Sequence, residues 1–421
     1  MARAFEVLIH GVIAGSLTES DMGRVAFRFY DSYRELVRRP VLGQAFEDDL
    51  YRTYPGKNRE LPPFFANLVP EGQLRELIEH SAGVAHGDDL ALLATVGSDL
   101  PGAVELRLTS EQLAMAQVDD EEPSPPPPDV AHEEPALRFS LAGVQLKFSV
   151  LREHEKLALP AHDKRGAWIV KLDSAKFPRL VENEFATLEW ARAAGFNVPE
   201  CHLQSVGTLP DPLQQYAISD TNVLLIRRYD RNVDARVHQE DFAQVVNFPP
   251  RLKYHHISYE QCAVLVREIV GREGYFEFVR RLAFVIATGN VDAHLKNWSL
   301  LYPDAVNATL SPLYDQVCTI AWPGLKPELA LKLAGAKPLL RVTREVINRF
   351  ARRAGMDERD TLTTFEDAVA RTAEAWLTSR AADVMPRQHI ASLRTYWTRA
   401  PLLRHASGEL FRVPGTGAAV G

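Results

Sequence analysis

The stretch Gly289-Asn290-Val291-Asp292-Ala293-His294-Leu295-Lys296-Asn297-Trp298-Ser299-Leu300 sets an aspartate, a histidine, a lysine and two asparagines directly after the apolar run Leu282-Ala283-Phe284-Val285-Ile286-Ala287. An apolar segment that ends in so many polar groups is either a capped helix with a solvated loop or a place where charge is handled. Asp292 and Asn297 stand five residues apart, and Asp315 comes eighteen residues after Asn297, behind the apolar Leu310 and Leu313. D-x-x-x-x-N followed by a strand-borne aspartate is the pattern that phosphoryl transfer from a metal nucleotide needs. One carboxylate orients the attacking hydroxyl, while an asparagine and a second carboxylate offer oxygen ligands to Mg2+. Taken alone, the same residues also fit a capped loop and an ordinary turn.

Two upstream stretches bear on that choice. The strand Ala167-Trp168-Ile169-Val170-Lys171-Leu172 has a lone lysine near its end, and Glu182-Asn183-Glu184 lies in the first turns of the amphipathic helix Leu180 to Ala194, which Gly195 closes. A strand lysine held by a helix glutamate aims an ammonium at the phosphates of ATP. Of the two acids we prefer Glu184, although both also suit the positive end of a helix. Ser140-Leu141-Ala142-Gly143-Val144-Gln145-Leu146-Lys147 lies between two expected strands, where a phosphate loop belongs. Its single glycine matches neither a P-loop nor G-x-G-x-x-G, so a plain hairpin competes with backbone N–H groups and Lys147 presented to phosphates.

The rest of the chain supplies the setting. Its 421 residues exceed the ~150 typical of one domain, and 46% hydrophobic residues permit a sizeable core. A net charge of −7 gives no global case for nucleic acid or membrane. Three widely spaced cysteines without C-x-x-C argue against a disulfide framework or a zinc site, and fit a reducing cytoplasm. Neither a signal peptide nor a membrane span is expected. The run Asp119 to Asp129, acidic and then proline-rich, reads as an extended linker. The expected organisation is an α+β module over 1–118, a linker over 119–136, a strand-rich nucleotide-binding region over 137–235, a helical lobe over 236–412 and a disordered tail over 413–421. The module opens with strands about the turn signal His10-Gly11 and has helices near Leu74–His80 and Leu90–Val96. The helical lobe holds Ile257–Val270, Tyr275–Thr288, Arg344–Ala354, Asp360–Arg380 and Ile390–Ala400. The fold class is therefore α+β: a two-lobed, protein-kinase-like fold with a small N-terminal α+β subdomain and an all-helical C-terminal lobe. Tyr254-His255-His256 reads as a solvated surface, and Arg341 to Asp360 as a charged helix face.

The order of these stretches resembles the HipA-type serine/threonine kinases, toxins of bacterial toxin–antitoxin pairs. The resemblance rests on F-S-L-A-G-V-Q-L-K, W-I-V-K-L, V-E-N-E, R-R-Y-D-R, H-Q-E-D-F-A-Q, N-V-D-A-H-L-K-N-W-S and L-S-P-L-Y-D. In the first module it rests on P-P-F-F-A-N-L-V-P-E-G, L-L-A-T-V-G-S-D and P-G-A-V-E-L. It spans nearly the whole chain. The resemblance implies that Asp292 is catalytic, that Asn297 and Asp315 hold Mg2+, and that Lys171 contacts the ATP phosphates. It implies backbone hydrogen bonds from Arg227 to Tyr229 to adenine, Asp230 near the ribose, and His294 and Lys296 completing the catalytic loop. Ala142, Gly143, Val144, Gln145 and Lys147 become the phosphate loop, and Ser140 a site of autophosphorylation that expels the loop and switches the kinase off. Leu146 and Arg227 depart from residues familiar in the family. The implied partners are a protein substrate, expected in translation and such as an aminoacyl-tRNA synthetase, and a DNA-binding, HipB-like antitoxin that connects to operator DNA. A nucleotide-binding corepressor without turnover and a small-molecule phosphotransferase on the same fold are the alternatives.

Overall fold

The computed structural model describes residues 3–109, 145–153, 156–158, 166–218, 222–232 and 235–405. The linker, the tail, and Ser140, Ala142, Gly143 and Val144 of the expected phosphate loop lie outside the described residues.

The first module is an antiparallel sheet of β1 (Ala4–Ile9), β2 (Val12–Glu19), β3 (Val25–Phe29), β4 (Tyr54–Pro55) and β5 (Val104–Leu108), in the order β4-β3-β2-β1-β5. His10 and Gly11 join β1 to β2 with positive φ at both residues, the conformation a two-residue hairpin loop requires. Helices α1 (Gly72–Ser81) and α2 (Asp89–Val96) accompany the sheet, and the Asp88 side chain caps α2 at Ala91 N.

A second antiparallel sheet contains β6 (Lys147–Glu153), β7 (Lys156–Ala158), β8 (Trp168–Lys171), β9 (Cys201–Gln204) and β10 (Val223–Arg227), in the order β7-β6-β8-β10-β9. Side chains of a strand alternate between faces, and the two faces have different partners here. Phe148, Val150, Val170 and Leu225 join the core of the first module, so the two sheets share one apolar interior. Leu224, Ile226 and Cys201 face α3 (Leu180–Ala193) through Val181, Phe185 and Leu188. Further along α3, Trp190 enters the core of the C-terminal lobe, where its ring meets Phe284 and Trp376.

That lobe is built on α4 (Tyr259–Val270), α5 (Arg272–Thr288), α6 (Arg344–Arg353), α7 (Glu358–Thr378) and α8 (Arg387–Arg399). Helix α5 is central: Leu282 to Ala287 are all buried, and Tyr396 and Trp397 of α8 donate to the Ile286 and Ala287 carbonyls at 2.8 and 2.7 Å. The lobe is not all-helical. β11 (His238–Asp241), β12 (Ser299–Tyr302) and β13 (Thr309–Leu310) form a small sheet, and β14 (Glu328–Leu333) pairs with β15 (Ala336–Pro338). Apart from β14, these strands have four residues or fewer, too few for their alternation to stand out against the helical pattern around them. Among the described residues no helix is long and apolar enough to cross a membrane, and Cys201, Cys262 and Cys318 are free and buried.

Candidate active site

Helix α5 ends at Gly289, whose φ of +65° is the left-handed conformation that turns the chain out of the helix. The next loop is fixed at both ends. Thr319 Oγ1 accepts from Val291 N at 2.6 Å and donates to Gly289 O at 3.0 Å, and Asp292 N donates to Asn290 Oδ1 at 3.0 Å. Asn297 Nδ2 donates to the Asp292 carbonyl at 2.8 Å, which orients its amide and commits the nitrogen, so that the oxygen is the group with ligand capacity to spare. Tyr314 donates to the Lys296 carbonyl at 2.9 Å, bringing the segment that carries Asp315 onto this loop.

Asp315 is not strand-borne. It lies beyond β13 in irregular backbone with φ +50°, a rare conformation for a non-glycine residue that aims its carboxylate at Lys171. Lys171 is buried at the end of β8 and pairs with Glu184 Oε1 at 2.6 Å and with Asp315. Glu184, rather than Glu182, is thus the helix partner; Glu182 pairs with Arg179 instead. Burial disfavours the Lys171 ammonium, but Asp315 and Glu184 outweigh it and keep the amine charged. Burial also opposes ionisation of Asp315, yet Lys171 and Lys147 hold that carboxyl below its ordinary range. Glu184 is shifted upward by burial. Lys147 lies opposite Lys171 in the β6–β8 ladder, and burial pushes its ammonium down to about 8. Gln145 donates through Nε2 to Leu172 O at 2.7 Å.

Several expected residues are placed otherwise. Asp230 does not face an open ribose site: its carboxylate accepts from Gly102 N, Arg228 and Arg231 and is 3% exposed. The Arg227 and Arg228 N–H groups donate to Glu200 O at 2.8 Å and Ala167 O at 2.9 Å, which leaves the carbonyls of this stretch and Tyr229 N–H as the backbone groups for adenine. Tyr229 donates to Gln239, with its ring beside Tyr314. The buried ammonium of Lys296 ends on Glu71 and Asn67 of the first module. His294 is buried, its Nδ1 has no hydrogen-bond partner among the described residues, and burial lowers its pKa to about 4; it is a neutral ring at neutral pH.

Sequence reading took Tyr254 only as part of a solvated surface. Its hydroxyl donates to Asp292 Oδ1 at 2.5 Å and its ring meets His294 edge-on at 4.8 Å. His255 and His256 are exposed, as expected. Thr319 was passed over. Aromatic and hydroxyl side chains 38 and 28 residues away in the chain give no local signal of such contacts.

A buried strand lysine between a helix glutamate and a second carboxylate, beside an Asp–x4–Asn loop, is the arrangement of a protein-kinase-like fold. The comparisons are more specific. Residues 139–376 match the model of the HipA-like C-terminal domain, and residues 5–107 that of the HipA N-terminal domain. The chain belongs to the HipA kinase family. It is 36% identical over 377 residues to "Putative kinase Y4dM" of Sinorhizobium fredii, covering 88% of this chain and 90% of that protein. It is 26% identical to the serine/threonine-protein kinase toxin HipA of Shewanella oneidensis, over 66% of this chain and 67% of the toxin. The solved complex of Shewanella HipA, HipB and operator DNA has the same fold as this chain, with a TM-score of 0.71 over 96% of each chain at 20% identity.

Proposed function

We propose that this protein is an ATP- and Mg2+-dependent serine/threonine protein kinase and the growth-inhibiting toxin of a toxin–antitoxin pair. The observation that carries the reading is the buried Lys171, held by Glu184 and Asp315 beside the Asp292–Asn297 loop. Hard oxygen donors with one pre-ionised carboxylate fit Mg2+, which supplies charge neutralisation at the phosphate oxygens when bound. Asp292 accepts the hydrogen bond of the acceptor hydroxyl and aligns it, Lys171 holds the phosphates, and Asn297 and Asp315 are the proposed metal ligands.

The expected acceptor is a host protein of translation, such as an aminoacyl-tRNA synthetase. Ser140 is the proposed autophosphorylation site, where about two added negative charges beside a phosphate site repel ATP. A DNA-binding antitoxin is the proposed partner, and the protein acts in the cytoplasm. Incubation with Mg-ATP followed by mass spectrometry should show phosphate on Ser140 in the wild type and none in Asp292→Ala or Asp315→Ala. Phosphoproteomics of cells expressing wild type against Asp292→Ala then identifies the acceptor. Phosphoryl transfer that persists in purified Asp292→Ala would overturn the assignment. Nucleotide binding without any transfer by the wild type would replace it with a corepressor.

A further inference from the structure

One carboxylate of the first module reaches both segments that frame Asp292. Glu71, at the end of P-P-F-F-A-N-L-V-P-E-G, lies 2.8 Å from Lys253 Nζ through one oxygen and 2.9 Å from Lys296 Nζ through the other. Lys296 is 9% exposed, and its hydrogen bond goes to the Asn67 carbonyl at 3.0 Å. The neighbour of each lysine in the chain gives the arrangement its meaning. Lys296 immediately precedes Asn297, whose amide is bonded to the Asp292 carbonyl. Lys253 immediately precedes Tyr254, which donates to the Asp292 carboxylate, and the Lys253 carbonyl accepts from Leu295 N at 3.2 Å. The two segments thus grip Asp292 from both sides, one at its carboxylate and one at its carbonyl, and the lysine of each ends on Glu71.

A long ammonium chain is held in one place only when its head group is fixed, and a buried ammonium needs a compensating charge. Glu71 meets both needs for two lysines at once. Without it, Lys253 and Lys296 would lose their shared anchor and the Asp292–Asn297 loop its support from the first module. We propose that Glu71 is a positioning residue for phosphoryl transfer, holding Lys253-Tyr254 and Lys296-Asn297 so that Asp292 and Asn297 keep their reacting geometry. This rests on the kinase reading above. It gives the first module a part in the chemistry, beyond its share of the core.

The test uses the full-length protein with Mg-ATP, measuring the rate of autophosphorylation and, separately, binding of a fluorescent ATP analogue. Glu71→Gln should slow transfer about 10–100-fold, the scale of a small misplacement of reacting groups, with analogue affinity within about twofold of wild type. Tyr254→Phe should slow transfer in the same direction, and Glu71→Gln with Tyr254→Phe should cost less than the product of the two, because both act on one loop. Glu60→Gln is the control: it removes an exposed ion pair with Arg251 elsewhere between the same segments and should change neither quantity. If Glu71→Gln is poorly folded, Lys253→Gln serves in its place, and its melting temperature is compared with that of Glu60→Gln. An active wild type with an equally active, folded Glu71→Gln, or equal losses in transfer and analogue affinity, would overturn the inference and leave the kinase reading standing. A wild type that binds the analogue and transfers no phosphate would overturn both.

Discussion

Lys171, itself buried, holds the buried carboxylate of Glu184 and the part-exposed carboxylate of Asp315. Its charge is the compensation for both Glu184 and Asp315, so removing it strands Glu184 in the interior and takes the ion-pair partner from Asp315. Lys171→Met should therefore lower phosphoryl transfer by ~10²–10³-fold and destabilise the protein by about 3 kcal/mol, as read by kinetics and urea denaturation. Adding Glu184→Gln should recover part of the stability and none of the activity, since it removes the stranded charge without restoring a phosphate contact. The lysine, its glutamate and the Asp–x4–Asn spacing were legible because each sits at a place the chain's periodicity defines: a strand end, the first turns of a helix, a loop after an apolar helix. Where the Asp230 and Lys296 side chains point was not legible, for a related reason. Sequence gives the residue type and the loop, but the direction a side chain takes depends on what packs there, and here that is the first module.

Helix α5 and the loop it feeds form the element on which the site depends. Gly289 must leave the helix with φ +65°, and a Cβ there would stand 2.5 Å from Ile320 Cδ1, next to the Thr319 that pins the loop. Gly289→Ala combines left-handed strain with that overlap, so a loss of about 1–3 kcal/mol is expected from calorimetry. The loop begins at the strained residue, so transfer should fall more than stability alone explains. Asn290→Ala, in contrast, removes the acceptor for Asp292 N and should reduce activity with a smaller change in melting temperature. The long helices were placed to within a few residues because their apolar stripes repeat over several turns. The short strands β11 to β13 were not, and they matter: β11 pairs with β12 through Asp241↔Ser299, which carries the chain out of the catalytic loop.

At the scale of the molecule, the first module is joined to the kinase lobes by buried polar groups as well as by a shared apolar core. Asp99 and Asp230 bind Arg228 and Arg231, while His238 and Glu240 of β11 meet Leu42 O, Ala103 N and Gln44 N. R-R-Y-D-R and H-Q-E-D-F-A-Q thus supply side chains to the junction. Two of these groups make the junction sensitive to pH. Burial raises Glu240 from 4.5 to about 8 and lowers His238 from 6.5 to about 3, so both are neutral when folded near pH 6. Glu240 holds its proton more tightly in the folded state. Its contribution is complete below 4.5 and is lost as pH rises through about 8. His238 is the weaker base when folded, so its contribution is complete above 6.5 and is lost as pH falls toward about 3. The two slopes oppose each other between the ordinary values, and stability should decline on either side of that plateau. Glu240→Gln keeps an acceptor for Gln44 N but cannot ionise. The variant should therefore lose on the order of 2 kcal/mol less stability than wild type between about pH 6 and about pH 9, and keep the acid-side decline set by His238. Melting temperatures across that range are the measurement. An alkaline decline of equal steepness in both proteins would place the sensitive group elsewhere.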